Sequence, residues 1–426
     1  MNKMHLTPVS ATTKKQETIM TQIPQRPGIS FDGLGIAPKI LEALDRMKFT
    51  VPTPIQHKAI PIAIEHKDLV GIAQTGTGKT LAFAIPVIQR LAQQKGSCLV
   101  LAPTRELAVQ VNEVFQRIAP LFAIKTIVII GGVPINNQIK KLKEKPRVLV
   151  VTPGRLIDHL TRRTVSLENV NILIIDEVDR MLDMGFLPDI RRILKRIPRN
   201  RQTMLFSATM PPEIMTIASS YMKLPVHIEI APSGTTAEHI VQELFIVKKD
   251  AKKQLLAKIL NCYRGSVLLF SRTKRGAAVL NRLLRSKGYS SAEIHSDRSL
   301  SQRRQALEGF KVGRYRILVA TDVAARGIDV TGIELVINYD LPENAENYVH
   351  RIGRTARAGH EGRAISFAMP EQGKDVRSIE KLIKTALPIA EHPEFPQEKF
   401  IQYTKPQGGF RRAGRRGAKR KYRRRP

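Results

Sequence analysis

The chain of 426 residues can hold two domains of ordinary size, and its hydrophobic content of 42% is that of a globular protein. Seventy Lys and Arg oppose 37 Asp and Glu, so the net charge is +33. An excess this large favours a polyanionic partner, with RNA or DNA ahead of acidic lipid, over a merely solubilising surface. No apolar run approaches the roughly 20 residues of a membrane span, and the polar N-terminus lacks the apolar core of a signal peptide.

Two cysteines, Cys98 and Cys262, lie far apart and beside apolar runs. Both are predicted to be reduced and buried, which argues against a disulfide framework and a zinc site. Together with the lack of a predicted membrane span or signal peptide, this favours a cytoplasmic protein.

Residues 1–28 are polar with weak periodicity and are predicted to be an N-terminal extension without ordered structure. From Phe31 to residue 230, short apolar runs alternate with segments of helical periodicity. Strands are predicted at 69–72, 98–101, 126–130, 148–151, 172–175 and 203–206. Uninterrupted apolar runs are typical of strands buried on both faces, and helices between them imply right-handed crossovers and a parallel sheet.

A polar stretch at 231–238 interrupts the pattern and is predicted to be a linker. A second alternating series follows at 239–371, with strands predicted at 241–247, 267–270, 317–320, 335–337 and 364–367. The next segment, 372–404, is predicted to contain a helix at 378–387 followed by Pro-rich sequence. Residues 405–426 contain eleven Lys and Arg and no acid. Disorder is expected from the end of that helix onward, because the sequence has no apolar face to bury.

Residues 73–80, Ala-Gln-Thr-Gly-Thr-Gly-Lys-Thr, lie between the predicted strand 69–72 and a helical pattern at 81–93. This is the arrangement of a phosphate-binding loop, in which backbone N–H groups and a helix N-terminus face phosphate oxygens. Lys79 is predicted to reach the β- and γ-phosphates, and Thr80 to hold Mg²⁺. The first position is alanine where the usual pattern has glycine, so an ordinary strand-to-helix turn remains the alternative.

Asp176-Glu177-Val178-Asp179 directly follows the apolar run 172–175. Ligands of parallel sheets bind at the carboxyl ends of strands, so these carboxylates are expected to face the phosphate loop. Asp176 is predicted to hold Mg²⁺ through water, and Glu177 to accept a proton from attacking water. A solvated helix start is the alternative, but together with loop 73–80 these acids predict a nucleoside triphosphatase.

The segment 350–357, His-Arg-Ile-Gly-Arg-Thr-Ala-Arg, places arginines at i, i+3 and i+6, broadly on one face of a helix or loop. Guanidinium groups bind phosphate oxygens at two points, and a triphosphatase needs positive charge on the transferred group. A basic solvated helix is the alternative. If these arginines complete the site, they reach it from the second domain, and catalysis requires the domains to close.

Taken in order, the motifs resemble those of the DEAD-box family of RNA helicases in superfamily 2, over about residues 29–370. They are Phe31 and 52–56, 73–80, 103–108, 131–132, 152–155, 176–179, 207–209, 270–274, 320–329 and 350–357. The finer pattern is most similar to the bacterial RhlE-type subgroup. The resemblance implies two tandem RecA-like α/β domains with parallel sheets. Residues 29–230 would form the ATP-binding domain (Q motif at 29–57), and residues 239–371 the C-terminal helicase domain.

The resemblance also implies ATP and Mg²⁺ as cofactors and gives roles to individual residues. Binding of ATP is expected from Phe31, Gln56, Thr75, Gly76, Thr77, Gly78, Lys79, Thr80, Gly327 and Asp329, with Phe31 stacking near the adenine and Gln56 bonding its edge. Catalysis is expected from Lys79, Thr80, Asp176, Glu177, Arg354 and Arg357, and metal binding from Thr80 and Asp176. Coupling of hydrolysis to RNA binding is expected from Asp179, Ser207, Thr209, His350 and Arg351.

RNA is the implied partner, held by Thr104, Arg105, Gly132, Thr152, Gly154, Arg155, Arg272, Arg303 and Thr321. Small residues, hydroxyls and arginines suit backbone contact rather than base reading, so binding independent of RNA sequence is expected. The predicted function is RNA-stimulated ATP hydrolysis coupled to local duplex unwinding or remodelling of RNA–protein complexes. The basic tail is expected to be an extra RNA tether, with a solubilising tail as the alternative. A monomer is expected, acting in ribosome assembly, messenger turnover or cold adaptation.

The sequence departs from the family pattern at Val178 (usually alanine), Ala356 and Lys48 (usually glycine) and Ser296 (usually glycine). None of these changes removes a charged or phosphate-binding group. Val178 is expected to face the core and leave the carboxylates in place, although it is the departure most able to slow turnover. Two alternatives therefore stay open: an ATP-gated RNA chaperone or clamp that hydrolyses slowly, and a DNA-directed helicase of the same superfamily.

Overall fold

The computed structural model describes residues 30–74, 76–230, 240–325, 333–355, 362–396 and 398–401. In its first domain the helices are α1 (Pro38–Arg46), α2 (Pro54–Ile64), α3 (Lys79–Gln93), α4 (Arg105–Ile118), α5 (Ile135–Leu142), α6 (Pro153–Thr161), α7 (Val178–Asp183), α8 (Leu187–Leu194) and α9 (Pro212–Tyr221). The strands are β1 (Leu69–Ile72), β2 (Ser97–Leu101), β3 (Thr126–Ile129), β4 (Val148–Val151), β5 (Val170–Asp176), β6 (Gln202–Ser207) and β7 (Val226–Glu229).

The second domain has the same alternation of strands and helices. Its helices are α10 (Lys252–Cys262), α11 (Lys274–Ser286), α12 (Leu300–Lys311), α13 (Asp322–Ala325), α14 (Ala345–Ile352) and α15 (Gly373–Ile383). Its strands are β8 (Ile240–Ile246), β9 (Val267–Phe270), β10 (Ser291–Ile294), β11 (Ile317–Ala320), β12 (Leu335–Asn338) and β13 (Gly362–Ala368).

Each domain is built on one parallel sheet. The described strands of the first sheet lie in the order β3-β4-β2-β5-β6-β1-β7, and those of the second in the order β10-β11-β9-β12-β13-β8. The paired strands are parallel throughout. The predicted pair of tandem parallel α/β domains is confirmed.

Burial explains why the strands are uninterrupted apolar runs. Every residue of β1, β4, β9 and β11 is buried. Each sheet separates two hydrophobic clusters, one on each face, to which alternate residues of a strand contribute; Val148 and Val150 of β4 pack on one face and Leu149 and Val151 on the other. Helices cover both faces, as parallel sheets require.

Several details differ from the predictions. Two strands were not predicted: β7 (Val-His-Ile-Glu) alternates at the sheet edge, and β10 (Ser-Ala-Glu-Ile) lacks an apolar run. The last helix is α15, which begins and ends earlier than the predicted 378–387. Cys98 is buried as expected, but the prediction of a buried Cys262 was wrong, because this residue ends α10 on an exposed face.

The Pro-rich segment after α15 was predicted to be disordered, and this prediction was wrong for its described part. We call residues 384–396 and 398–401 the strap. The Leu244 N–H in β8 donates to the Pro388 carbonyl (2.8 Å), and the Ala390 N–H donates back to the Leu244 carbonyl (2.9 Å). Leu387 is buried in the second domain's core, and Phe400 packs against the same cluster. The strap therefore continues the second domain along the outer edge of β8.

Candidate nucleotide and RNA sites

The sheet order of the first domain divides its predicted motifs into two groups. Strands β5, β6 and β1 are neighbours, so the acids after β5, Ser207 at the end of β6 and the loop after β1 meet at one half of the carboxyl edge. Strands β3, β4 and β2 are neighbours at the other half, where the predicted RNA-contact motifs follow them. One edge of one sheet thus places the two candidate sites side by side.

The loop after β1 has the backbone of a phosphate cradle. Gly76 and Gly78 both have φ of 88°, a left-handed conformation that favours glycine. Helix α3 begins at Lys79, two residues before the helical pattern at 81–93, so the N–H groups of its first turn face the loop. The buried Lys79 ammonium donates to the Ala73 carbonyl at 2.8 Å. Thr80 is half-buried in the first turn of α3.

Gln56 connects the segment before β1 to this loop. Its Oε1 accepts from the Thr53 N–H (2.9 Å) at the start of α2, and its Nε2 donates to the Gly78 carbonyl (3.0 Å). A Cβ atom on Gly78 would collide with the Gln56 Nε2, so a larger residue would displace the Gln56 side chain, and the φ of 88° would be strained. Phe31 is buried against the same core as α2 and α3.

The acids after β5 are buried at the edge of the sheet. Glu177 has φ of 51° and ψ of 51°, which turns the chain sharply between β5 and α7. Its carboxylate pairs with the Arg180 guanidinium, and both side chains are less than 5% exposed. Burial raises the pKa of Asp176 to about 7, with Lys79 opposing and Glu177 adding to the shift. Among the described residues, Asp176 Oδ1 has no hydrogen-bond partner although it is buried.

Val178 is completely buried among the apolar residues below the sheet. The two carboxylates before it remain at the strand end. The expectation that Val178 faces the core is confirmed.

Asp179 ties α7 to the end of β6. Its Oδ2 accepts from the backbone N–H groups of Ala208 (3.0 Å) and Thr209 (3.1 Å), and the Thr209 hydroxyl lies 3.4 Å away. Burial tends to raise the pKa of Asp179, but Lys79, His350 and Arg180 outweigh it and lower the pKa. Since His350 belongs to the second domain, that domain contributes to the electrostatic potential at the Asp179 carboxylate. Ser207 is also buried here, and within the described chain its Oγ has no hydrogen-bond partner.

The predicted RNA contacts of the first domain surround one cleft of about 410 Å³. It is lined by Thr104, Arg105, Gly132, Thr152, Gly154 and Arg155, with Arg303 and Ser296 from the second domain. Gly132 has φ of 75°, and a Cβ atom there would collide with the Arg105 guanidinium. Nothing lies within 4 Å of the position a Cβ would take on Gly154, so a ligand backbone can approach it closely. The structure brings these six predicted residues together.

Arg303 reaches this cleft through an ion pair that the sequence did not predict. Its Nη2 lies 2.7 Å from Glu106 Oε2 in the first domain, and the two side chains are 7% and 4% exposed. Burial lowers the pKa of Arg303, and Glu106 opposes the shift. Arg303 Nε and Glu106 Oε1 are buried without hydrogen-bond partners among the described residues. The pair is therefore made through a single contact, and each side chain keeps unused hydrogen-bonding capacity.

The arginines after β12 differ in position. Arg351 donates to Asp322 at two points (2.5 and 2.7 Å) and to Asn338 and the Asp340 carbonyl, and it stacks on Phe270. Its guanidinium is used inside the second domain, so the idea of three arginines on one phosphate-facing row does not hold for Arg351. Arg354 is buried just after α14.

Two predicted RNA contacts of the second domain lie outside the cleft lining. The exposed Arg272 follows β9, where its N–H donates to Asp340 Oδ2 at 3.1 Å. Thr321 is buried at the end of β11, and its carbonyl accepts from the Ala325 N–H at 2.9 Å. Four predicted ATP-site residues lie outside the described residues: Thr75, Gly327, Asp329 and Arg357.

Arg180, Glu106 and Asp322 were not predicted as site residues. Arg180 could have been found, because it follows Glu177 at i+3, the spacing at which side chains meet on a helix. Glu106 lies 197 positions from Arg303, and no local pattern connects them. Asp322 directly follows the predicted contact Thr321, but its partner Arg351 is 29 positions away.

Comparison with known proteins agrees with this geometry. The family model for the DEAD/DEAH box helicase matches residues 53–217, and that for the helicase conserved C-terminal domain matches residues 251–359. The ATP-dependent RNA helicase CshA of Listeria monocytogenes is 43% identical over 370 residues, or 86% of this chain and 71% of that protein. The chain belongs to the DEAD-box helicase family.

Other relatives of this helicase are also RNA helicases or share its fold. The ATP-dependent rRNA helicase RRP3 of Debaryomyces hansenii is 43% identical over 366 residues, or 84% of this chain and 76% of that protein. The structure of S. cerevisiae Dbp5 bound to RNA and ADP BeF3 is 32% identical, with a TM-score of 0.74 over 85% of this chain and 96% of that one. The helicase is an ATP-dependent enzyme acting on RNA, and both of its domains are RecA-like. Across the described ranges, none of its helices combines the length and hydrophobicity of a membrane span.

Proposed function

We propose that ATP binds between the loop after β1 and the second domain, and that Glu177 is the general base of its hydrolysis. The buried carboxylate of Glu177, held by Arg180 beside the phosphate loop, is the observation that carries this assignment. Lys79 would leave the Ala73 carbonyl to bind the β- and γ-phosphates, and Gln56 and Phe31 would contact the adenine. Arg354 and Arg357 would bind the γ-phosphate, and Gly327 and Asp329 would approach the nucleotide from the same domain.

The residues at this edge fit a hydrated Mg²⁺ ion. Mg²⁺ keeps several waters and needs only one or two protein ligands when phosphates are present. The buried Oδ1 of Asp176, which has no hydrogen-bond partner among the described residues, and the hydroxyl of Thr80 would supply such ligands. Bound Mg²⁺ would neutralise charge on the phosphates.

RNA is proposed to lie in the 410 Å³ cleft, held by backbone contacts without reading of sequence. Arg105, Arg155 and the unused Nε of Arg303 would contact phosphates, while Gly132 and Gly154 let the RNA backbone approach. Arg272 and Thr321 would extend the contact on the second domain. RNA binding would be transmitted to the hydrolysis site by Asp179, Ser207, Thr209, His350 and Arg351. The Asp179 carboxylate accepts a hydrogen bond from the loop after β6, and the charge of His350 in the second domain lowers its pKa.

A comparison of nucleic acids tests this function. ATP hydrolysis is expected to rise with single-stranded RNA and much less with DNA of equal length and sequence. Recognition of 2′-hydroxyl groups is the physical difference between the two. Equal stimulation by DNA would instead favour the DNA-directed alternative.

The slow clamp is the second candidate, and Val178→Ala tests it. Because Val178 points into the core and leaves the carboxylates in place, the single-turnover hydrolysis rate is expected to change by less than about threefold. Removing two buried methyl groups should lower the free energy of unfolding by about 1–2 kcal/mol. Rapid-quench kinetics and urea unfolding measure both effects. A large gain in rate would support the clamp.

The basic tail is proposed to be an RNA tether. The strap ends at Ile401, whose N–H donates to the Pro370 carbonyl (2.9 Å) just beyond the carboxyl end of β13, and the eleven cations follow. Deleting residues 405–426 is expected to weaken binding of long RNA about tenfold at 0.15 M salt and to flatten the salt dependence. Fluorescence anisotropy over a salt series measures this. Unchanged affinity would leave the tail as a solubilising segment.

We further propose that the helicase is a cytoplasmic monomer of the RhlE-type subgroup. Its ATP-binding domain would begin at residue 29, the linker at 231, the C-terminal helicase domain at 239, the segment with the last helix at 372 and the basic tail at 405. Ribosome assembly, RNA degradation and cold adaptation are all compatible with sequence-independent RNA contacts. Crosslinking of RNA to the helicase in cells would identify its target.

A further inference from the structure

Helices α6 and α8 both begin at the RNA cleft and pack beside each other. Gly154, Arg155 and Asp158 on the first turns of α6 line the cleft, and so does Phe186, directly before α8. The nine residues of α6 span about 13 Å. The two helices therefore lead away from the cleft over the surface of the first domain.

The far ends of these helices carry a concentration of positive charge. The exposed side chains there are Arg162, Arg163, Arg192, Lys195, Arg196 and Arg199, which we call the basic track. In the part of the chain that the structure describes, no carboxylate lies within ion-pair distance of these six groups. Asp158, the exposed acid nearest the cleft on α6, is already paired with Arg155 at 3.5 Å.

A second cleft of about 430 Å³ lies at the end of the track. Arg163 and Arg196, which lie just beyond the carboxyl ends of the two helices, line it. Ser166 adds a hydroxyl group, whereas the Thr164 hydroxyl is already bonded to His159 (2.7 Å to Nδ1). Arg163 has φ of 54°, which ends α6 and directs the following residues over the cleft. Glu168 also lines it, so the cleft holds two cations against one carboxylate.

We propose that the basic track is a second RNA-binding surface, which holds the sugar–phosphate backbone of RNA leaving the main cleft. This rests on the proposed RNA contacts of that cleft. Arginines with hydroxyl groups and no aromatic stacking platform suit phosphate binding independent of base identity. The second cleft would hold a phosphate between the guanidinium groups of Arg163 and Arg196. The helicase thereby holds RNA outside the main cleft as well, on the domain that carries the phosphate loop.

The test compares short and long RNA. The variant Arg192→Glu/Lys195→Glu/Arg196→Glu reverses three charges of the track. Its matched control, Arg282→Glu/Arg285→Glu/Lys287→Glu, reverses three exposed charges at the carboxyl end of α11 and the residue after it, in the second domain. Affinities for single strands of about six and about twenty nucleotides are measured by anisotropy with a non-hydrolysable ATP analogue present.

The track variant is expected to bind the long strand at least about tenfold more weakly, with its salt slope lowered by about two, since each lost phosphate contact contributes about 0.7. It should bind the short strand as the wild type does, and the control should match the wild type on both. Equal long-strand affinity in the track variant and the wild type overturns the proposal and leaves a solvated or protein-binding face. Failure of the wild type to bind either strand would instead contradict the main RNA site.

Discussion

Glu177→Gln is expected to lower RNA-stimulated ATP hydrolysis by at least about 100-fold, the usual contribution of a general base. Glutamine has nearly the same shape but cannot take the proton of the attacking water. It can still accept a hydrogen bond from Arg180, so the turn at φ 51° should persist. Steady-state hydrolysis with saturating RNA measures the loss, and equilibrium binding of an ATP analogue checks that the nucleotide site is intact.

A matched control is Glu42→Gln, which neutralises an exposed carboxylate on α1. It should hydrolyse ATP at the wild-type rate. RNA-stimulated turnover that survives in Glu177→Gln would contradict the assignment of Glu177 as the general base and would favour Asp176 or Asp179 in that role.

Arg303→Ala is expected to have the second largest effect, because it leaves Glu106 as a buried, unpaired charge whenever the domains meet. Breaking such a pair costs roughly 3–5 kcal/mol, which would lower the population of the closed state by more than about 100-fold. RNA affinity in the presence of an ATP analogue should fall accordingly, while each domain remains folded. Anisotropy measures the affinity, and a fluorescent donor and acceptor on the two domains report closure directly.

The chain supplies its own control for this experiment. Arg304, next in sequence, pairs with Glu113 at 3.5 Å, but those side chains are 52% and 56% exposed. Exposed pairs contribute about 0–1 kcal/mol, so Arg304→Ala should change RNA affinity less than about fivefold. The double variant Glu106→Leu/Arg303→Met buries no charge and should recover part of the closure. Equal losses in the two single variants would show that net charge, not the buried pair, controls closure.

The strands predicted with the right bounds are those in which every residue is buried. Strands β4, β9 and β11 match their predicted bounds, because burial on both faces demands apolar residues at every position. Strand β10 escaped prediction because it includes Glu293, which the structure buries in a pair with Arg298. Glu293 interrupts the apolar run of the strand, and its partner lies five residues later in the following loop, so the sequence shows no strand pattern there.

The site was predictable where a motif is local. Loop 73–80 and the acids at 176–179 each contain their chemistry within a few residues, and the sheet order brings them together. The Glu106–Arg303 pair and the position of Arg351 were not predictable, because both depend on tertiary partners. Spacing alone placed Arg351 with the other arginines, whereas Asp322 and Asn338 turn it inward.

The strap also has a consequence for self-association. Without the strap, the outer edge of β8 would present the Leu244 N–H and carbonyl unpaired, beside the exposed side chain of Val241. Open edges of this kind invite strands of other molecules to pair with them, and proteins commonly cover them. A chain trimmed at the end of α15 would therefore be prone to aggregate edge to edge. The strap covers the β8 edge of the second domain, and it should be retained whenever that domain is prepared alone.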